Sequence, residues 1–232
     1  MATFVLLHGA ASDGWYWHLV EPRLQAAGHR TIAPDLPCDD DAAGFAEYAD
    51  VVVAAIEAQA PGADEVVLVA QSMAGFTAPI VATRVPVAMI VLVAAMTPAP
   101  GESGGDWWTN TGQDVAHAEA MAALGLPTEP FDEAAVFLHD VPADVVAESV
   151  HHLREQSATP FAAPWPLAAW PDVPTRFLLC RDDRLFPAAF QRRVVRERLG
   201  IAPDEMDGGH LPALAHPDEL AAHLLGYAAE LS

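Results

Sequence analysis

Short apolar runs alternate along this chain with longer stretches in which apolar positions recur every three or four residues. Runs of this kind bounded by turn formers read as buried strands, and the periodic stretches read as amphipathic helices. The strands predicted are Phe4 to Leu7, Thr31 to Ala33, Val66 to Ala70, Met89 to Ala94, Arg176 to Cys180, and a short one around Glu205, from Asp204 to Met206. Trp17, Val20, Leu24 and Ala27 share one helical face, as do Val51, Ala54, Ala55 and Ala58, and both faces are expected to pack on the sheet. A last helix is expected from Pro217 to Leu231, with its proline in the first turn. Strands separated by helices predict an α/β fold: a doubly wound, mostly parallel sheet of about six strands with helices on both faces. Pro79 falls inside the helix expected after the third strand, where a ring without an N–H kinks or breaks a helix. The pattern alone offers no reason for it.

The third strand runs into Ala70-Gln71-Ser72-Met73-Ala74-Gly75, a strand-to-helix turn with a serine at its centre. Such an elbow strains the serine backbone and admits only small residues two positions to either side, which Ala70 and Ala74 satisfy. Two further elements follow in order. Arg181-Asp182-Asp183-Arg184-Leu185-Phe186-Pro187 is a polar turn after the fifth strand, and Asp207-Gly208-Gly209-His210 places a histidine on a glycine-bearing loop after the sixth. Serine, aspartate and histidine, each at a strand end and in that order, form the set needed for nucleophilic acyl transfer. At the start of the chain, His8-Gly9-Ala10-Ala11 follows the first strand as a loop of small residues whose amides can approach a ligand. The N–H groups of Ala10 and Met73 are the candidate donors to an oxyanion. His8 is read as ordering that loop and not as a base.

The His8-Gly9-Ala10 loop, Gly14-Trp15-Tyr16-Trp17, the Gln71-Ser72-Met73 elbow, Asp183-Arg184-Leu185-Phe186-Pro187 and Gly208-Gly209-His210 together resemble the α/β-hydrolase branch of plant methyl esterases, hydroxynitrile lyases and small bacterial esterases. The resemblance runs from about residue 3 to residue 228. It implies the α/β-hydrolase fold, with Ser72 as nucleophile, His210 as base, Asp183 as the acid that orients it, and no cofactor. Asp183 is preferred over its neighbour Asp182 because the motif of the branch aligns with Phe186 and Pro187. The lyases of this branch carry Thr or Asn after the first-loop histidine, and one stereochemical type adds a lysine after the catalytic histidine; here Gly9 and Leu211 stand at those places, and the chain has no lysine at all. Hydrolysis of a small or medium-sized, largely apolar carboxylic ester is the expectation. Lactonase, thioesterase or cyclase chemistry, or ligand binding by a receptor on this fold, stay open as alternatives because the fold hosts them all.

Between Thr97 and Asp172 the composition changes: nine of the twenty prolines and four of the six tryptophans lie there. The segment is too long for a plain connection. It resembles the helical cap that this fold inserts after the fourth strand, so that residues 97 to 172 form the cap, residues 1 to 96 and 173 to 232 the core, and the whole a single domain. Trp107, Trp108, Phe137 and, next to the histidine, Leu211 are the expected lining of the substrate pocket. His151 and His152 read as a surface pair, and no cluster has the spacing of a metal site.

Charge narrows the partners. With 32 acidic residues against 11 arginines the formal net charge is −21, which opposes nucleic-acid binding and docking on anionic membranes. No apolar run reaches the length of a membrane span, and no basic, apolar leader opens the chain. A cytoplasmic enzyme, monomer or homodimer, acting on a small-molecule ester is expected. Cys38 and Cys180, the only cysteines, read as buried thiols.

Overall fold

The structure, a computed structural model, describes residues 1–231. Six strands, β1 (Thr3–Leu7), β2 (Arg30–Ile32), β3 (Val66–Gln71), β4 (Met89–Val93), β5 (Thr175–Cys180) and β6 (Asp204–Met206), form one sheet in the order β2-β1-β3-β4-β5-β6. All five neighbouring pairs are parallel. The helices in chain order are α1 (Glu21–Ala26), α2 (Phe45–Gln59), α3 (Ala78–Ala82), α4 (Gly104–Thr111), α5 (Gln113–Ala123), α6 (Glu133–Phe137), α7 (Ala143–Ser149), α8 (Thr159–Ala162), α9 (Ala188–Leu199), α10 (Pro212–Ala215) and α11 (Pro217–Ala229). Among the described residues no helix is long and apolar enough to cross a membrane.

Successive side chains of a strand point to opposite faces, and here both faces are covered. Val5, Leu7, Leu68, Ala70, Ile90, Leu92, Phe177 and Leu179 face α2, α3 and α9. Phe4, Leu6, Val67, Val69, Val91, Val93, Leu178 and Cys180 face α1 and α11. That is why the strands read as unbroken apolar runs.

The chain passes from β1 to β2 on one side, then returns to lay β3 along the other side of β1. Where the order reverses in this way, the loops leaving the strands diverge and open a crevice at their carboxyl ends. Leu7 is paired with Ala70, so the segments that follow, His8-Gly9-Ala10 and Gln71-Ser72, emerge side by side at that crevice.

Three helical expectations need correction. The first helical face is interrupted: Gly14–Trp17 is a 3-10 turn and α1 starts only at Glu21, although Trp17, Val20 and Leu24 are buried as expected and Ala27 is exposed. In α2 the buried stripe is Phe45, Tyr48, Ala49, Val52 and Ile56, while Ala54 and Ala58 are exposed. Both stripes have helical spacing, and the larger side chains remove more apolar surface from water. Pro79 also finds its reason. The chain after β3 makes a 3-10 turn over Ser72–Gly75 and restarts as α3, so Pro79 sits in a first turn, where a missing N–H leaves no bond unmade.

Between β4 and β5 lie α4 to α8. The two ends of this insertion meet: Ser103 pairs with Pro164 in an antiparallel bridge, Trp165 N–H donates to Glu102 O, and Gly101 N–H to Trp165 O. Buried Glu102 also takes Arg198 of α9 at 2.8 Å, tying the entry of the insertion to the core.

Candidate active site

Ser72 has φ 52°, in the left-handed region. For a residue with a Cβ that conformation costs about 1–2 kcal/mol, so packing must hold it. Met96 N–H donates to Ser72 O at 3.0 Å. A side chain on Gly75 would collide with the carbonyl of Met96, which lets the turn lie flat against the end of β4. Ala70 and Ala74 are both buried.

His210 lies between the serine and an aspartate. Its Nε2 is 3.0 Å from Ser72 Oγ, and its Nδ1 is 2.8 Å from Asp183 Oδ2. An ionised carboxylate only accepts, so Nδ1 carries the proton and Nε2 turns a lone pair to the serine. The other oxygen of Asp183 accepts the backbone N–H groups of Leu185 and Phe186 at 2.9 and 2.8 Å. Gln191 Nε2 adds a longer bond to Oδ2 at 3.4 Å. Both Asp183 and His210 are buried.

Asp182 is turned elsewhere. Exposed at the surface, it accepts Gly208 N–H on Oδ2 at 3.3 Å, and its own N–H donates to Gly208 O at 3.0 Å. Neighbouring residues leaving a strand diverge, and here one reaches the imidazole while the other holds the loop that carries it. Gln71 completes that support, its Nε2 donating to His210 O at 3.0 Å. Gln71 had no sequence signal beyond its place beside the serine.

The first loop lies against the elbow. A Cβ on Gly9 would collide with the Gln71 side-chain oxygen and come within 3.0 Å of Ser72 Cβ, so this close approach requires glycine. Among the described residues neither Ala10 N–H nor Met73 N–H has a hydrogen-bond partner. His8 is buried beneath them. Its Nδ1 is 2.8 Å from Gly9 O and its Nε2 accepts Leu36 N–H at 3.0 Å, which fixes a neutral ring with the proton on Nδ1. Burial pushes its pKa below the ordinary 6.5. His8 therefore orders the loop and does not touch Ser72 or His210. Beyond it Ala11 has φ 55°, held from the insertion by Gln156 Oε1 on its N–H at 3.1 Å and by Arg154 N–H on its carbonyl at 3.2 Å.

The expected pocket residues separate into two groups. Phe137 and Leu211 are half-buried, the Phe137 ring 5.5 Å from the imidazole and Leu211 next to His210 in the chain. Trp107 is only 1% exposed and lies behind Phe186, 5.2 Å from that ring, with its Nε1 donating to Thr97 O. It packs the insertion onto the core and lines no open surface, because a buried indole gains more by satisfying its N–H inside. Trp108 is half-buried beside it, 5.7 Å from Phe186. Phe186 meets the imidazole edge-on at 5.0 Å, a contact that sequence reasoning used only as motif register. His152 is half-buried, its ring stacked on Trp15 and its Nδ1 3.1 Å from Asp13, while His151 is exposed.

Residues 4–223 match the model of the alpha/beta hydrolase family. The chain belongs to that family. As an α/β hydrolase it is 27% identical to methylesterase 7 of Arabidopsis thaliana over 96% of this chain and 94% of that protein. It is likewise 27% identical to the pyrethroid hydrolase of Sphingobium wenxiniae, covering 97% of this chain and 86% of the relative. The solved structure of polyneuridine aldehyde esterase superposes with a TM-score of 0.79 over 98% of this chain and 99% of that one; at 20% identity it supports the shared fold. The chain is thus an esterase-like enzyme of the α/β-hydrolase fold.

Proposed function

We propose that this hydrolase is a serine esterase that cleaves a small or medium-sized, largely apolar carboxylic ester through an acyl-enzyme. The observation that carries the reading is the continuous hydrogen-bonded line Ser72 Oγ, His210 Nε2, His210 Nδ1, Asp183 Oδ2, with separations of 3.0 and 2.8 Å at its two hydrogen bonds. His210 takes the proton of Ser72 as Oγ attacks the ester carbonyl, and Asp183 stabilises the imidazolium that forms. Negative charge then develops on the carbonyl oxygen. The unpaired N–H groups of Ala10 and Met73 receive it, each such donor being worth about 3 kcal/mol at the transition state. His210 returns its proton to the leaving alcohol, then activates the water that releases the acid. Phe137 and Leu211 beside the imidazole offer an apolar surface to the substrate, in keeping with relatives named methylesterase and pyrethroid hydrolase.

A fluorophosphonate probe and a short p-nitrophenyl ester test this. Wild type should label and turn over, and Ser72→Ala should lose the label and about 10⁶ in turnover while keeping its fold. Full labelling of the folded alanine variant would overturn the assignment.

A further inference from the structure

The loop that carries His210 is held at several polar backbone groups. Asp182 takes both the N–H and the carbonyl of Gly208, and Gln71 takes the carbonyl of His210. The other end of that Gly208–Gly209 peptide is held from the inserted segment: Gly209 N–H donates to Asp140 Oδ2 at 2.6 Å. Asp140 lies between α6 and α7, inside the segment inserted after β4. Among the described residues no other contact joins that segment to the histidine loop by a charged hydrogen bond to backbone, a class that is short and about twice as strong as a neutral one.

The two glycines make the approach possible. A side chain on Gly208, whose φ is 106°, would collide with the His216 imidazole. On Gly209 a Cβ would lie 2.7 Å from His139 Nε2 and 2.8 Å from Asp140 Oδ1. Both of those atoms are buried without a hydrogen-bond partner. Two buried polar atoms without a partner beside Gly209 are a cost that the fold retains. His216 Nε2 stands 3.4 Å from Asp140 Oδ2 on the open side.

We propose that Asp140 is a positioning residue for His210, fixing the Gly209 peptide so that the imidazole sits on the line between Asp183 and Ser72 only while the inserted segment is seated. The inference rests on His210 being the general base. A sub-ångström tilt of the ring lengthens the 3.0 Å reach to Ser72 Oγ, and misplacement by about 1 Å can cost on the order of 10²-fold in rate.

The test compares Asp140→Ala with Asp140→Asn in the full chain, with Asp140→Leu, which keeps the volume without the acceptor, in place of the alanine variant should that one not fold. Asparagine keeps an oxygen for Gly209 N–H at nearly the same volume. The folded variant without an acceptor should show kcat on a short p-nitrophenyl ester and the rate of fluorophosphonate labelling down about 10- to 100-fold with KM little changed, and asparagine should restore most of the loss. The downfield proton resonance of His210 Nδ1–H should be present in wild type and Asp140→Asn, and broadened in the folded variant that lacks the acceptor. A merely structural role would lower the melting temperature and leave that resonance and kcat in place, which would overturn the proposal. Labelling of wild type and of the acceptor-free variant at equal rates would overturn it alone; wild type inert to the probe would overturn the serine mechanism and the proposal with it.

Discussion

Replacing Asp183 by asparagine exchanges one oxygen for an NH₂ group, and the surroundings decide where that group must go. Oδ1 accepts two backbone N–H groups, from Leu185 and Phe186, at 2.9 and 2.8 Å. An amide NH₂ placed there would oppose two donors inside a buried site, leaving both unsatisfied at about 1–3 kcal/mol each. The asparagine oxygen therefore stays with the backbone, and its NH₂ faces His210 Nδ1, where the carboxylate stood 2.8 Å away. Nδ1 must then present a lone pair, the proton moves to Nε2, and the imidazole can no longer accept from Ser72. Loss of the correct tautomer costs up to the order of 10⁴ in turnover, equivalent to about 5.5 kcal/mol of transition-state stabilisation. Asp182→Asn is the control: its oxygen can still take Gly208 N–H, so the loop keeps that bond and turnover should stay near that of wild type. Hydrolysis of a short p-nitrophenyl ester, normalised to protein concentration, reads both variants, and a thermal melt establishes that each is folded. An inactive Asp182→Asn beside an Asp183→Asn of near-normal rate would refute the assignment of the acid.

Two further outcomes follow from burial. Folded His8 is held neutral by desolvation, below its ordinary 6.5, whereas the unfolded chain protonates it freely. The unfolded state therefore binds more protons, and the contribution of His8 to stability, complete above about pH 6.5, is lost as pH falls from there through the folded value. His8→Gln should be the less stable protein at pH 7.5, and urea midpoints should show the gap to wild type narrowing by pH 5; a gap that stays constant would count against the buried neutral ring. Trp107→Ala should cost about 3–5 kcal/mol of stability and lower turnover of all esters alike, whereas Phe137→Ala should shift the preference between bulky and small esters with little change in melting temperature. Selectivity altered by Trp107→Ala at unchanged stability would reverse the two assignments.

The strand positions, the elbow, and the three residues that the fold brings together as Ser72, His210 and Asp183 were legible because each leaves a local mark: an apolar run, then a small-residue turn, a polar turn or a glycine-bearing loop. Asp183 was separable from Asp182 only through the register of Phe186 and Pro187. The faces of α2 were not legible, since in an alanine-rich helix two stripes share the same period and only side-chain size, read against the sheet, chooses between them. Trp107 could not be sorted from Phe137 by composition, because an aromatic residue in an inserted segment serves lining and packing equally well. The supports of Gln156 and Asp140 left no trace, and that of Gln71 none beyond its place beside the serine. They are single side chains bonded to backbone far away in the chain, 145 residues away in the case of Gln156 and Ala11, and such bonds have no spacing to recognise.

The contact at Ala11 bears on how this enzyme could be re-engineered. Its strained backbone lies one residue past Ala10, the proposed oxyanion donor, and both of its polar groups are held by residues 154 and 156 of the inserted segment. A chimaera that replaced residues 97 to 172 with the corresponding stretch of a relative, in search of a new substrate, would remove those two partners together with Glu102 and Asp140. The donor stretch would have to bring an acceptor for Ala11 N–H and a donor for its carbonyl at the same places, or the recipient would keep its serine and histidine but surrender the shape of the loop beside them. Single substitutions at Phe137 or Leu211 leave those joints alone, which makes them the safer handles on selectivity.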